Sequence, residues 1–248
     1  LKALIYKVAA TTDRGQRMNT MIAPIYQEKL IEMKKLVEAL VPLSDEITQS
    51  SIGGEWELIY SSVELFRSSP FFLAIEKALN NKSKSDLFFK LHLLQVGSFG
   101  LSTIGRVGQY LDFNKGEMIS TFDTTIFGLT TIPILGWFKL LPTFGGRVIT
   151  IAKVLQLKEN QLSMELEKTK VSEVIGLGKI PFLNRILMER WFPVKTFWKL
   201  LPWNNENPNC EITVIYVDED LRIIKDMYGE LFVYIRPSIP LLNQTKKN

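Results

Sequence analysis

The chain has 248 residues, 46% of them hydrophobic, which suits one large domain or two small ones. Thirty Lys and Arg against 26 Asp and Glu leave a net charge of +4 with no Lys/Arg-rich tract, which argues against nucleic acid and suits an anionic membrane surface. The one cysteine, Cys210, excludes an internal disulfide and a cysteine-built metal site, and fits an intracellular or stromal setting.

The sequence starts at Leu1 without a methionine, which reads as a processed or trimmed chain from which a targeting peptide has been removed. Leu1 to Ala10 is short and apolar, with Lys2 and Lys7; Thr11-Thr12-Asp13 offers capping side chains and Arg14-Gly15 a break. Tyr26, Leu30, Met33, Val37 and Leu40 then recur at helical spacing, and Pro42 ends the run. This amphipathic helix is expected to pack onto a barrel, over its open end or its side.

Gly53-Gly54-Glu55-Trp56-Glu57-Leu58-Ile59-Tyr60-Ser61-Ser62 reads as the first strand of that barrel. Trp56, Leu58 and Tyr60 alternate with Glu55, Glu57 and Ser61, so one face is apolar. A Gly-x-Trp at the strand start places a large ring where it plugs a closed end. Ser68-Ser69-Pro70 opens a short helix over Phe71 to Leu79, and Asn80 to Asp86 reads as a loop. Leu87 to Val96 is apolar and compatible with helix or strand; its His92 reads as a packing residue rather than a catalyst. Strands follow at Arg106 to Phe113 and Glu117 to Ile126, joined by Asn114-Lys115-Gly116.

Val148 to Leu157 and Gln161 to Thr169 form the next hairpin, turning at Glu159-Asn160. Glu211 to Val217, Leu221 to Lys225 and Leu231 to Arg236 complete the sheet, and Pro237 to Asn248 is an extended tail. Adjacent hairpins suit an up-and-down antiparallel barrel. Arg222 is a lone charge in an apolar strand, and stacking on Trp56 is a reason for it to be there. Asp218-Glu219-Asp220 reads as a solvated turn, and Asp112 and Asp123 as candidates for polar contacts inside the barrel.

Several of these pieces stand in the order and rough spacing of one family. They are Asp13-Arg14-Gly15, the Gly54 to Ser62 strand, Gln109-Tyr110-Leu111-Asp112, Asp218 to Ile223 and Gly229-Glu230-Leu231-Phe232-Val233-Tyr234. The set, over roughly residues 10–236, resembles the plastid lipid-associated proteins, also called plastid fibrillins. The resemblance implies a mainly β fold with α additions. The implied fold is an antiparallel lipocalin-like β-barrel, expected to handle lipids or prenyl-type molecules in plastids or cyanobacteria. The expected division is an N-terminal helical segment over 1–45 and a barrel over 46–240.

The barrel carries apolar helical insertions at 126–146 and 174–203, broken by prolines into pieces too short to span a bilayer. The two share an echo: Trp137-Phe138-Lys139-Leu140-Leu141-Pro142 and Phe197-Trp198-Lys199-Leu200-Leu201-Pro202. Tryptophan beside lysine is the composition of a membrane-interface anchor. Three uses fit it: a lipid-facing lip, mutual covering at the cavity mouth, or docking on a membrane protein. Trp137, Phe138, Lys139, Trp198, Lys199 and Trp203 are the candidate contacts.

No enzyme constellation is found. One histidine excludes a multi-histidine metal site, Gly97-Ser98-Phe99-Gly100 lacks nucleophile-elbow spacing, and Gly176-Leu177-Gly178-Lys179 is not a phosphate loop. The expectation is therefore non-catalytic binding of a lipid or a prenyl- or pigment-like molecule at a plastid membrane, peripheral to thylakoid or plastoglobule. Trp56 and Arg222 close the barrel, and Leu58, Tyr60, Tyr110 and Phe122 line it. No cofactor is expected beyond a bound lipid, quinone or carotenoid. The alternative is a structural or assembly subunit docked on a photosynthetic membrane complex of the thylakoid.

Overall fold

The alternating segments become strands that close on themselves. The computed structural model describes residues 1–16, 23–98, 103–126, 144–173, 190–199 and 207–241. The barrel strands are β1 (Gly54–Ser61), β2 (Thr103–Asp112), β3 (Glu117–Ile126), β4 (Phe144–Lys158), β5 (Gln161–Glu173), β7 (Asn209–Val217), β8 (Leu221–Lys225) and β9 (Leu231–Ile235). They pair antiparallel in the ring β1-β2-β3-β4-β5-β7-β8-β9, and β9 returns to β1. Closure pairs each of these eight strands on both sides along at least part of its length. A two-residue strand, β6 (Phe192–Pro193), lies beside upper β5 at Lys168 and Thr169. This is the lipocalin-like architecture the sequence implied.

The barrel wall is apolar on both faces where helices cover it. Inside lie Trp56, Leu58, Leu111, Met118, Leu162, Met164, Ile212, Val214, Ile224, Phe232 and Tyr234. Outside, Leu221, Ile223, Leu231 and Val233 pack against Ile5, Val8 and Ala9 of α1 (Lys2–Thr11) and Met33, Val37 and Leu40 of α2 (Ala23–Leu40). Strands β8 and β9 thus read as continuous apolar runs because each is buried on two sides. The N-terminal helices cover the side of the barrel, not its mouth.

Four further helices are α3 (Gln49–Ile52), α4 (Pro70–Leu79), α5 (Lys82–Ser98) and α6 (Val194–Trp198). Leu87 to Val96 is therefore helix, and that helix begins inside the stretch expected as a loop. Asn80 takes a left-handed conformation (φ 42°), which ends α4, and Asn81 Oδ1 caps the start of α5 by accepting from Lys84 N–H at 3.0 Å. The break between the helices is only that long.

Asp13-Arg14-Gly15 proves to be a clamp. All three residues have positive φ, so the chain leaves α1 in a left-handed turn. Arg14 C=O accepts from Ser61 N–H at 3.0 Å, and its guanidinium donates to the carbonyls of Gly105 at 2.7 Å and Ile104 at 2.8 Å. The first helix is thereby tied to both β1 and β2. A Cβ at position 15 would sit 2.0 Å from Ser61 O at φ +86°. Gly15→Ala is expected to cost roughly 2–3 kcal/mol and lower the melting temperature by about 4–10 °C, measured by thermal unfolding. An unchanged Tm contradicts the clamp.

Candidate functional site

The barrel has two unlike ends. At the base, β1 brings in Trp56, fully buried, and its Nε1–H donates to Ile52 O of α3 at 2.8 Å. The β8 register delivers Arg222, whose Cζ stands 4.9 Å from the Trp56 ring centroid and 4.7 Å from that of Tyr234. Arg236, just beyond β9, stacks closer still at 3.6 Å. Its guanidinium also donates to the carbonyls of Gly53 at 2.6 Å and Ser51 at 3.2 Å, pinning α3 under the base. One indole is held by two cations.

Arg222 is fully buried and takes part in no salt bridge among the described residues. Its Nη2 donates to Gln109 Oε1 at 2.6 Å, while Nε has no partner. Gln109 Nε2 in turn donates to Tyr234 OH at 3.0 Å and Ser68 O at 3.1 Å. Burial pulls the guanidinium down to about 9, and nearby Arg236 pushes the same way, which still leaves it charged at neutral pH. Burial pushes the Tyr234 hydroxyl up to about 12 and the Cys210 thiol up to about 12, so both stay neutral.

The four expected lining residues divide two and two. Leu58 and Phe122 face inward. Tyr60 does not. The β1–β9 register shifts between Leu58 and Tyr60, and this bulge turns Tyr60 outward beneath the N-terminal helices, paired with Val233. Tyr110 also faces outward, because Gln109 and Leu111 take the inward places on β2. Asp112 and Asp123 are corrected likewise. Asp112 caps the β2–β3 turn by accepting from Lys115 N–H at 3.1 Å. Asp123 grips Arg147 on the outer wall at 2.6 and 3.0 Å. Asp218 is not simply solvated: it caps its turn, accepts from Tyr216 OH and pairs with Lys2 of α1.

The other end is aromatic. Phe66, Phe72 and Phe89 form a triangle with centroid separations of 4.7, 6.1 and 6.1 Å, against which Phe71, Phe88, Ile104 and Phe122 pack. It joins α4 and α5 to the upper ends of β2 and β3. Arg67 lies 4.2 Å above the Phe89 ring and donates to buried Glu76 of α4 at 2.6 Å. None of these residues carries a sequence signature beyond its apolar neighbourhood. Arg236 and Gln109 were detectable only as a polar residue after, and a polar residue inside, an apolar strand.

Both insertions leave from this aromatic end, since Ile126 pairs with Phe144 and Gly146 with Glu173. Trp137, Phe138, Lys139 and Trp203 lie outside the described residues. Trp198 departs from the expected outward anchor: it ends α6 buried in the main core with Val194, 2% exposed, while Lys199 is exposed. Its burial follows from β6 and α6 folding back along β5. Among the described residues no helix is long and apolar enough to cross a membrane, and no group of acids, histidines or cysteines forms a metal cluster.

With this geometry in place, the family model described as PAP_fibrillin matches residues 1–235. The chain belongs to the plastid lipid-associated protein, or fibrillin, family. That family is lipid-associated, generally non-enzymatic and associated with plastids. No curated protein and no solved structure matches the chain. Within this fibrillin barrel the Trp–Arg clasp forms the base and the phenylalanine triangle lies at the opposite end.

Burial and the neighbouring Asp226 push the Glu76 carboxyl up to about 7 despite the Arg67 pair. A proton on Glu76 turns repulsion between two buried acids into a hydrogen bond. The folded state then holds a proton that the unfolded chain releases near pH 4.5. That stabilisation is complete below pH 4.5 and is lost as pH rises through about 7. Thermal unfolding is expected to show Tm falling by about 3–8 °C from pH 5 to pH 8, and Glu76→Gln to flatten that slope. An equal slope in the variant removes Glu76 as its source.

Proposed function

We propose that this fibrillin is a non-catalytic binder of a lipid or a prenyl- or pigment-like apolar molecule at a plastid membrane, thylakoid or plastoglobule. The observation that carries the reading is the asymmetry of the barrel. One end is sealed by Trp56 between two guanidinium groups, and the other is aromatic and gives rise to both apolar insertions. The lower interior is filled by side chains of 0–2% exposure, so the ligand belongs at the mouth. Flat phenylalanine faces suit an isoprenoid or ring-bearing molecule there. Phe122 and Ile104 are the barrel-side contacts, and Phe72 and Phe89 the helix-side ones.

The packed interior also favours a second reading, an assembly subunit that grips a photosynthetic membrane complex and carries nothing. Organic extraction of protein purified from its native membrane separates the two. The binding reading expects lipid, quinone or carotenoid in near-stoichiometric amount, and a Phe72→Ala/Phe89→Ala variant to retain at most about a tenth of it, the loss of one to two buried rings' contact energy. A ligand-free protein that co-migrates only with a large membrane complex overturns binding in favour of the second reading.

A further inference from the structure

Residues 65–79 cross the upper end of the barrel. Their first turn, Leu65–Ser68, touches β1 and β2, and α4 packs against β4, β5 and β7 on the other side of the ring. The segment also reaches inward. Ser68 O accepts from Gln109, the residue that holds Arg222, and Leu65, Leu73 and Ala74 belong to the same apolar core as Met164 and Trp198. A buried polar cluster holds it down. Arg67, 4% exposed, donates to Glu76 Oε1 of α4 at 2.6 Å, and Ser85 of α5 donates to the same oxygen at 3.4 Å. Asp226, buried in the turn between β8 and β9, faces Glu76. The charges around the pair are engaged: Glu64 stands 3.5 Å from Arg67, Lys77 binds Glu211 of β7 at 2.6 Å, and Lys82 stands 3.6 Å from Asp86 and 3.3 Å from Glu230. Glu76 and Asp226 therefore share one buried cation, Arg67. Several buried atoms of the cluster have no hydrogen-bond partner: Glu64 Oε2, Arg67 Nε, Asp226 Oδ2 and Tyr228 OH. A buried network satisfied only in part is costly to keep.

We propose that residues 65–79 are a removable plug, latched by Arg67, Glu76 and Asp226, and that the barrel admits an apolar guest when this latch opens. The proposal rests on the lipid-binding reading above and adds the entry step to it. Phe66, Phe72 and Phe89 stand at contact distance from one another, so a guest among them requires the helices to move. The apolar side of the plug is held by burial, which does not respond to pH. The latch does. With a proton between Glu76 and Asp226, one negative charge remains and Arg67 balances it. Without that proton, two buried carboxylates face each other across one cation, and repulsion acts between α4 and the β8–β9 turn. Burial and Asp226 hold the Glu76 carboxyl up at about 7, and burial raises Asp226 as well, so the proton leaves near neutrality. The plug is closed in acid and released in mild alkali.

Hydrogen exchange of the full chain at pH 5 and pH 8, corrected for intrinsic rates, tests the latch. Amides of residues 65–79 are expected to lose protection at least about tenfold between these values, and at pH 8 to exchange at least about tenfold faster than those of β1 and β9. Glu76→Gln keeps a neutral side chain at every pH, and Asp226→Asn removes the opposing acid. Each is expected to reduce the pH dependence to about twofold or less. Plug amides that exchange no faster than β1 and β9 overturn the proposal, because the segment then leaves only when the barrel unfolds. An undiminished pH dependence in both variants overturns the latch. Nile red, an apolar fluorescent probe, reads the entry step. Unaltered protein is expected to bind it at least about fivefold tighter at pH 8 than at pH 5, and Glu76→Gln equally at both. Equal affinity in the unaltered protein overturns the plug as a gate and leaves the binding reading standing. Release seen by exchange, with no Nile red bound at either pH, supports the latch and counts against the binding reading instead.

Discussion

The fold depends on one indole held between two guanidinium groups. Trp56 has Arg236 stacked at 3.6 Å and Arg222 at 4.9 Å, with its own N–H bound to Ile52 O. The clasp joins four separate parts of the chain: α3, the first strand, and both members of the last hairpin. A closed barrel of antiparallel hairpins has no covalent closure. It must be sealed by contacts between its first and last strands, and these side chains sit at that seam. An arginine buried without a carboxylate is costly. Here the cost is offset by two aromatic faces and the Gln109 side chain, which extends the network to Tyr234 and Ser68.

The seam also explains why the wall is apolar on both sides. With the base closed, β8 and β9 bury one face in the interior and the other under α1 and α2. The helices are held by a left-handed turn at Asp13-Arg14-Gly15 and by Lys2 on Asp218. Tyr60, at the top of β1, is drawn into that outer layer by the bulge above Leu58. The interior is therefore packed with side chains along its lower half, and the phenylalanines between α4, α5 and β3 form a separate cluster at the opposite end.

Much of this was legible in the residues. Period-two alternation located β1, β4 and β5, short β-prone runs between turns located the other barrel strands, and an arginine in an apolar strand pointed to Trp56. Alternation failed where backbone geometry broke its count. Tyr60 is displaced by a bulge that leaves no mark in side-chain identity. Tyr110 was misplaced because the inward position belongs to Gln109, a polar residue whose partners Arg222 and Tyr234 stand on strands more than a hundred residues away. Trp198 looked like an interfacial anchor by its lysine neighbour, yet the fold-back of β6 and α6 buries it, while Trp191 is the exposed tryptophan among the described residues. Arg236 lay beyond the last strand, where nothing local distinguishes a surface arginine from a stacked one.

The proposed binder would keep its stability at the base and its ligand contacts at the aromatic end. That separation stands or falls with the base. A double-mutant cycle on Trp56→Phe and Arg222→Met, followed by denaturant unfolding, measures it most directly. The clasp predicts a coupling energy of about 1–2 kcal/mol between the two positions. A coupling indistinguishable from zero would mean that the two side chains are neighbours without holding the barrel shut.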